Sequence, residues 1–232
     1  MKNIINRKDL KYYLPVAVAF VLITSLGIYY DQAFIKLLPA WVTLCVNLLT
    51  AKVNRICFLI GATNCIIYSI GYFQEGLYGS VGSALLYSMP LQLVSYFTWR
   101  KNKRGSARNI KALSVFGKIA VVVSIIASSA LAAFILSNMK GSSNNLLDGS
   151  LFVLGLFATV FIMFGYIEGM IVNVISISLG LYMWITIVAS GKIENITYVI
   201  LSLYNLYMIT LSLINWIKLY NKQRAEEKES KK

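Results

Sequence analysis

Amides, hydroxyls and aromatic rings recur at helical spacing inside apolar stretches of this chain. These are the groups that hydrogen-bond and stack on a neutral or charge-delocalised solute. Gly61, Asn64, Tyr68 and Tyr72 stand at i, i+3, i+7 and i+11, one face of a helix. Asn173, Ser176, Gly180 and Trp184 form a second such face, and Ser88, Gln92, Ser95 and Trp99 a third. Asn205, Ser212 and Trp216 share a fourth. An unpaired amide in hydrocarbon costs several kcal/mol, so each of these residues needs a partner in protein, water or ligand. For any one of them two readings stand open: interhelical glue, or contact with a solute. Trp184 lies deep on a polar stripe and is assigned to a ligand. Trp99 and Trp216 end their helices beside basic residues and read as interfacial belt residues. Pro90, mid-helix, reads as a kink.

What is missing narrows the chemistry. The chain has no histidine, so Ser-His and Cys-His nucleophiles and HExxH zinc sites are excluded. Cys45, Cys57 and Cys65 fall in apolar runs without CxxC spacing and read as packing residues, so neither a metal nor a cofactor is expected. The nine acidic residues are Asp9, Asp31, Glu75, Asp148, Glu168, Glu194, Glu226, Glu227 and Glu229, all near loops or termini. Proton or sodium coupling usually needs a carboxylate at mid-membrane. With no ATP-handling motif either, the residues favour a facilitator rather than an enzyme or a pump.

The elements that must position these groups are membrane helices. The chain has 232 residues, 58% apolar and 13% charged, about half the ~25% charge of a soluble domain. Spans of ~20 residues divide it into eight segments. They run Tyr12–Tyr30, Phe34–Thr50, Ile56–Phe73, Leu77–Trp99, Leu113–Leu136, Leu147–Gly165, Met170–Ser190 and Ile193–Leu219. Residues 220–232 form a charged tail expected to be solvated or disordered. The net charge of +13 reads as topology rather than nucleic-acid binding. With eight spans, 18 of the 22 basic residues fall on the side of both termini, which predicts cytoplasmic termini. Lys36, Lys140 and Lys192 face the other side, and Lys118 lies inside the fifth segment.

Segments two to four resemble six to eight. Ser95 and Trp99 match Ser212 and Trp216 at an offset of 117, which also sets Ser88 opposite Asn205. In the middle helices the offset is 112, pairing Gly61 with Asn173 and Asn64 with Ser176. Equivalent helices four segments apart run in the same direction, so the repeat is parallel and needs one linking helix between its halves. The predicted fold class is an all-α membrane protein of eight helices as 1+3+1+3, in one transmembrane domain over 1–232. An extra helix (12–30) precedes the first three-helix bundle (34–99), the linking helix (113–136) and the second bundle (147–219).

Several motifs carry a resemblance: Gly61-x-x-Asn64, Phe73-Gln74-Glu75-Gly76-Leu77-Tyr78, Tyr87 to Trp99 with Pro90 and Gln92, Asn173-Val174-Ile175-Ser176, and Trp216. Together they resemble the PnuC-type vitamin transporters over roughly Trp41 to Trp216. The resemblance implies a SWEET-like fold of two three-helix bundles and facilitated diffusion of nicotinamide riboside into the cell. A cytosolic kinase would then trap the vitamin by phosphorylation and feed NAD synthesis. It implies a prokaryotic cell membrane and association of several protomers, with the lipid bilayer and a small-molecule vitamin as partners. The candidate substrate-binding set is Asn64, Tyr68, Tyr87, Gln92, Asn173, Ser176, Trp184 and Asn205. Thiamine or riboflavin transport on the same fold, and a non-transporting scaffold or receptor subunit, are the alternatives.

Overall fold

The computed structural model describes residues 7–32, 34–51, 55–98, 103–104, 107–139 and 144–229. Among these residues the regular structure is helical apart from a hairpin pairing Lys103–Arg104 with Ala107–Arg108 and a bridge between Lys111 and Tyr166. The helices are α1 (Arg7–Tyr29), α2 (Phe34–Ala51), α3 (Ile56–Gln74), α4 (Tyr78–Gly82), α5 (Met89–Thr98), α6 (Val115–Ser137), α7 (Asn145–Phe164), α8 (Ile167–Ala189) and α9 (Ile196–Glu229). A π-helical turn, Ser83–Ser88, joins α4 to α5 in one rod. The eight resulting rods coincide with the eight apolar segments to within a few residues at most ends. Among the described residues six helices are long and apolar enough to cross a membrane; the apolar part of α2, Leu37–Thr50, is shorter.

Local chemistry sets the helix ends. The Phe73-to-Leu77 motif is a helix stop: Gly76 takes φ +70°, Gly76 N–H reaches Phe73 O at 3.2 Å, and Leu77 N–H reaches Tyr72 O at 2.9 Å. This is the Schellman pattern, in which a glycine adopts the left-handed conformation and a buried apolar residue follows. Leu77 is fully buried. The α7–α8 hairpin closes the same way at Gly165, with φ +82° and Tyr166 N–H on Phe161 O at 2.8 Å. The π turn ends one residue before the α5 proline pair Met89-Pro90. Pro90 lacks an N–H and crowds the carbonyl of the preceding turn, and a widened turn relieves that crowding.

Contacts between helix ends fall into two sets. At one end Thr197 bonds Gln32, Lys192 pairs with Glu75, and Asp148 holds Gly79 and Ser80. At the other end Asn215 bonds Tyr12, Gln223 accepts from Ile110 N–H, and the 111 strand residue bonds Gly165 and Ile167. The rods therefore run alternately up and down. The core lies where α1, α2, α8 and α9 meet, with Ile23, Leu44, Met183, Trp184, Leu201 and Tyr204 buried together. Helix α6 packs chiefly on α7, where Gly149 permits close approach: a Cβ there would stand 2.8 Å from Ala133 N. Its other face is apolar and exposed, as suits lipid contact.

One expectation is corrected. The tail is not a disordered segment as far as it is described: α9 continues to Glu229, and Gln223 is buried because its carbonyl oxygen accepts Ile110 N–H at 3.0 Å. Most other side chains of that extension are exposed. Residues 230–232 and Trp99 lie outside the described residues. Asp148, Glu75 and Glu168 stand near helix ends, and all three are buried there.

Candidate functional site

A cavity of about 290 Å³ opens between the α4–α5 rod and α7, α8 and α9. Helix α8 contributes Asn173, Ser176, Gly180 and Trp184, its polar face as read from the helical period. Tyr87 and Ser88 come from the π turn, Asn205 and Ser202 from α9, and Gly155 and Thr159 from α7. Tyr72, Ser80, Ser83 and Met183 complete the polar and aromatic wall. Among the described residues no charged side chain lines it. The rings form one end: Trp184 stacks on Tyr198 at 4.4 Å and on Tyr72 at 6.4 Å, and Tyr72 stacks on Tyr68 at 5.4 Å.

The hydroxyls are polarised. Ser83 donates to Ser80 O at 2.8 Å, Tyr87 to Phe152 O at 2.7 Å, and Thr159 to Gly155 O at 2.7 Å. Ser80 donates to Asp148 Oδ1. A hydroxyl has one hydrogen, so each of these four oxygens has only lone pairs left to offer the cavity. Asn205 has the opposite polarity. Its Oδ1 accepts from Asn47 Nδ2 at 2.6 Å, which leaves its own NH₂ as donor. Asn205 and Asn173 also line a second cavity of about 180 Å³, bounded by Thr43, Asn47, Thr50 and Ser212. The two asparagines thus stand between two polar chambers.

Ser80 is held by a residue that sequence reading set aside as a loop acid. Asp148 is fully buried, with Oδ2 accepting Gly79 N–H at 2.7 Å and Oδ1 accepting Ser80 N–H at 3.0 Å. The first N–H groups of a helix have no partner within it. Here a carboxylate from α7 caps α4 across the bundle, and its charge suits the positive helix end.

Of the eight predicted site residues, the structure brings Tyr87, Asn173, Ser176, Trp184 and Asn205 together at the cavity. Asn64, Tyr68 and Gln92 stand off it. Asn64 turns toward α2, donating to Pro39 O at 3.1 Å and Thr43 Oγ1 at 2.9 Å, and Tyr68 OH lies 3.1 Å from the same threonine oxygen. Gln92 spans α5 and α3, with Nε2 on Cys65 Sγ at 3.3 Å and Oε1 in the space above Gly61, 1.9 Å from where a Cβ would stand. Gly61 therefore makes room for Gln92. Missed from the predicted set were Tyr72, Ser80, Ser83, Gly155, Thr159 and Ser202. Ser202 precedes Asn205 by three residues and Gly155 precedes Thr159 by four, spacings that place each pair on one helix face.

The fold has a solved counterpart. The structure titled "Crystal structure of the Vitamin B3 transporter PnuC" superposes with a TM-score of 0.76 at 19% sequence identity, covering 91% of this chain and 92% of that one. No curated protein matches the sequence. Residues 33–218 match the family model described as nicotinamide mononucleotide transporter, and the chain belongs to that family.

Proposed function

We propose that this multi-pass membrane protein is a uniporter for nicotinamide riboside. The carrying observation is the cavity wall: stacked rings, amides, and hydroxyls that present lone pairs, with no basic side chain among the described lining residues. A nicotinamide ring is a delocalised cation suited to Trp184 and Tyr72, and its carboxamide and ribose supply N–H and O–H donors to acceptor oxygens. A mononucleotide carries a phosphate as well, which calls for Arg, Lys or clustered N–H donors. The wall favours the riboside. With no lining carboxylate to carry a proton or sodium ion, the solute moves down its own gradient, and phosphorylation by a cytosolic kinase would hold it inside for NAD synthesis.

In this reading the rods form one domain, arranged as 1+3+1+3 with the two triplets parallel about an axis near the membrane normal. The cavity lies where the α4–α5 rod of one triplet faces α8 and α9 of the other. The 18 basic residues sharing a side favour cytoplasmic termini, and the family resemblance implies a prokaryotic cell membrane and associated protomers.

The test is uptake by purified protein in liposomes without ion gradients. Saturable entry of nicotinamide riboside, resisted by neither thiamine nor riboflavin and not shared by the mononucleotide, is expected. A requirement for a proton gradient overturns uniport, and preferred entry of the mononucleotide overturns the substrate.

A further inference from the structure

Lys118 is the basic residue that the loop count leaves over, and the cavity does not use it. It sits in the first turn of α6 with about half its side chain exposed (52%) and its Nζ 3.3 Å from Glu168 Oε1 at the start of α8. Glu168 is 7% exposed; its Oε1 also accepts Leu113 N–H at 3.1 Å, while its Oε2 has no partner. A buried, half-satisfied carboxylate is costly and calls for another donor.

Both residues stand at the head of a groove of about 360 Å³ between α6 and α8. Below them its walls are aliphatic: Val121, Val122, Ile125 and Ile126 on α6 face Ile171 and Ile175 on α8. At 1.5 Å per residue the walls run roughly 10 Å from Lys118 to Ile125 and from Glu168 to Ile175. The groove lies on the least buried span of the protein, where Val122, Ile126, Ile171 and Ile175 are all exposed. The charged pair is within a turn of the helix ends, the depth of lipid headgroups.

We propose that this groove is a site for a phospholipid whose headgroup carries a primary ammonium, of the phosphatidylethanolamine kind. An acyl chain lies along the aliphatic walls, the lipid phosphate meets Lys118, and the ammonium donates to Glu168 Oε2. The terminal torsion of a glutamate is broad, and as Lys118 leaves Oε1 for the lipid phosphate the carboxylate turns Oε2 to the groove it lines. The charges select the headgroup. Phosphatidylglycerol matches Lys118 but offers no cation to Glu168, and phosphatidylcholine has a cation without an N–H to donate.

The test uses the full chain in detergent, titrated with phosphatidylethanolamine, phosphatidylcholine and phosphatidylglycerol of identical acyl chains. Retained lipid is counted by native mass spectrometry, and the thermal unfolding midpoint is followed alongside. Phosphatidylethanolamine is expected to be retained, and to raise the midpoint, at several-fold lower concentration than either other lipid. Glu168→Gln keeps an acceptor for Leu113 N–H and is expected to erase that preference, and Lys118→Met to weaken retention of phosphatidylethanolamine and phosphatidylglycerol alike. Equal retention of the three lipids, or a preference unchanged in Glu168→Gln, overturns the proposal. Val122→Trp fills the groove without touching the charged pair and is expected to lose the lipid effect on its own, so the test stands if Glu168→Gln folds poorly. Efficient disulfide pairing of Val122→Cys between protomers in native membranes would assign the groove to a second copy of the chain and equally overturn it.

Discussion

Removing the Asp148 carboxylate is the sharpest perturbation the structure offers, because one side chain on α7 satisfies three donors on another helix. In Asp148→Ala, Gly79 N–H and Ser80 N–H lose their partner, and neither has one in the first turn of α4. Asp148 itself is 0% exposed, while Ser80 also borders the cavity, so Gly79 N–H is the donor most cut off from solvent. Each buried donor left unsatisfied costs roughly 1–3 kcal/mol, so the two backbone groups alone amount to about 2–6 kcal/mol. The Ser80 hydroxyl can rotate to another acceptor and adds less. Asp148→Asn is graded differently. The carboxylate receives donors on both oxygens, so an amide must turn its NH₂ toward one of them, losing one bond and opposing two donors, for about 1–3 kcal/mol. Ser80→Ala removes a single hydroxyl and leaves both backbone bonds in place. The expected stability order is wild type, then Ser80→Ala, Asp148→Asn and Asp148→Ala.

Reversible unfolding in mixed micelles measures these differences directly, and riboside uptake by the same preparations measures the functional consequence. Because Asp148 fixes the Ser80 hydroxyl with its lone pairs toward the cavity, Ser80→Ala should raise KM while changing stability least. An Asp148→Ala variant within about 0.5 kcal/mol of wild type, a shift ordinary for a surface change, would show that the cross-helix cap carries no stability.

Three further outcomes follow from the geometry. Trp184→Ala should weaken riboside binding about tenfold, the loss of one cation–aromatic contact, whereas Asn64→Ala should leave affinity unchanged in equilibrium binding and cost about 1–3 kcal/mol in unfolding. Gly155→Ala would place a Cβ 2.4 Å from the Tyr87 hydroxyl and should destabilise by about 1–3 kcal/mol, with Tyr87→Phe restoring much of the loss in the double variant; additive effects in that cycle would contradict the contact. Glu75→Gln breaks the 2.7 Å pair with Lys192; the lysine is half exposed but the carboxylate is buried, so unfolding should cost about 1–3 kcal/mol, and a variant as stable as wild type would contradict the pair.

The helices were legible because their signals are local. Apolar length, the Gly76 stop and the Gly165 turn are each contained within a few residues, and eight rods stand where eight segments were read. The α8 face was equally legible: Asn173, Ser176 and Trp184 share one side by period alone, and that side meets the cavity. Period does not say which neighbour a face meets. Asn64 and Tyr68 form as regular a stripe on α3, yet that helix turns them to Thr43 and to the Tyr72 ring. Gln92 needed knowledge of Gly61 on another helix, and Asp148 of two N–H groups in α4, some seventy residues away. Neither contact leaves a mark in its own stretch of sequence.

The repeat sharpens the point about the cavity. Positions paired by offset have separated in what they do: Asn173 and Ser176 line the chamber, while Gly61 packs under Gln92 and Asn64 bonds α2. Two pairs reach the chamber from both halves of the repeat: Ser88 with Asn205, and Tyr72 with Trp184. A strictly two-fold cavity would present the same groups twice and would suit a two-fold solute. Here the paired positions differ in kind: Trp184 answers Tyr72, and the donor amide of Asn205, which also borders the second chamber, answers the Ser88 hydroxyl. On the proposed reading the solute is a ring joined to a sugar, which has unlike ends, and a chamber whose paired positions carry unlike side chains can hold it in one orientation.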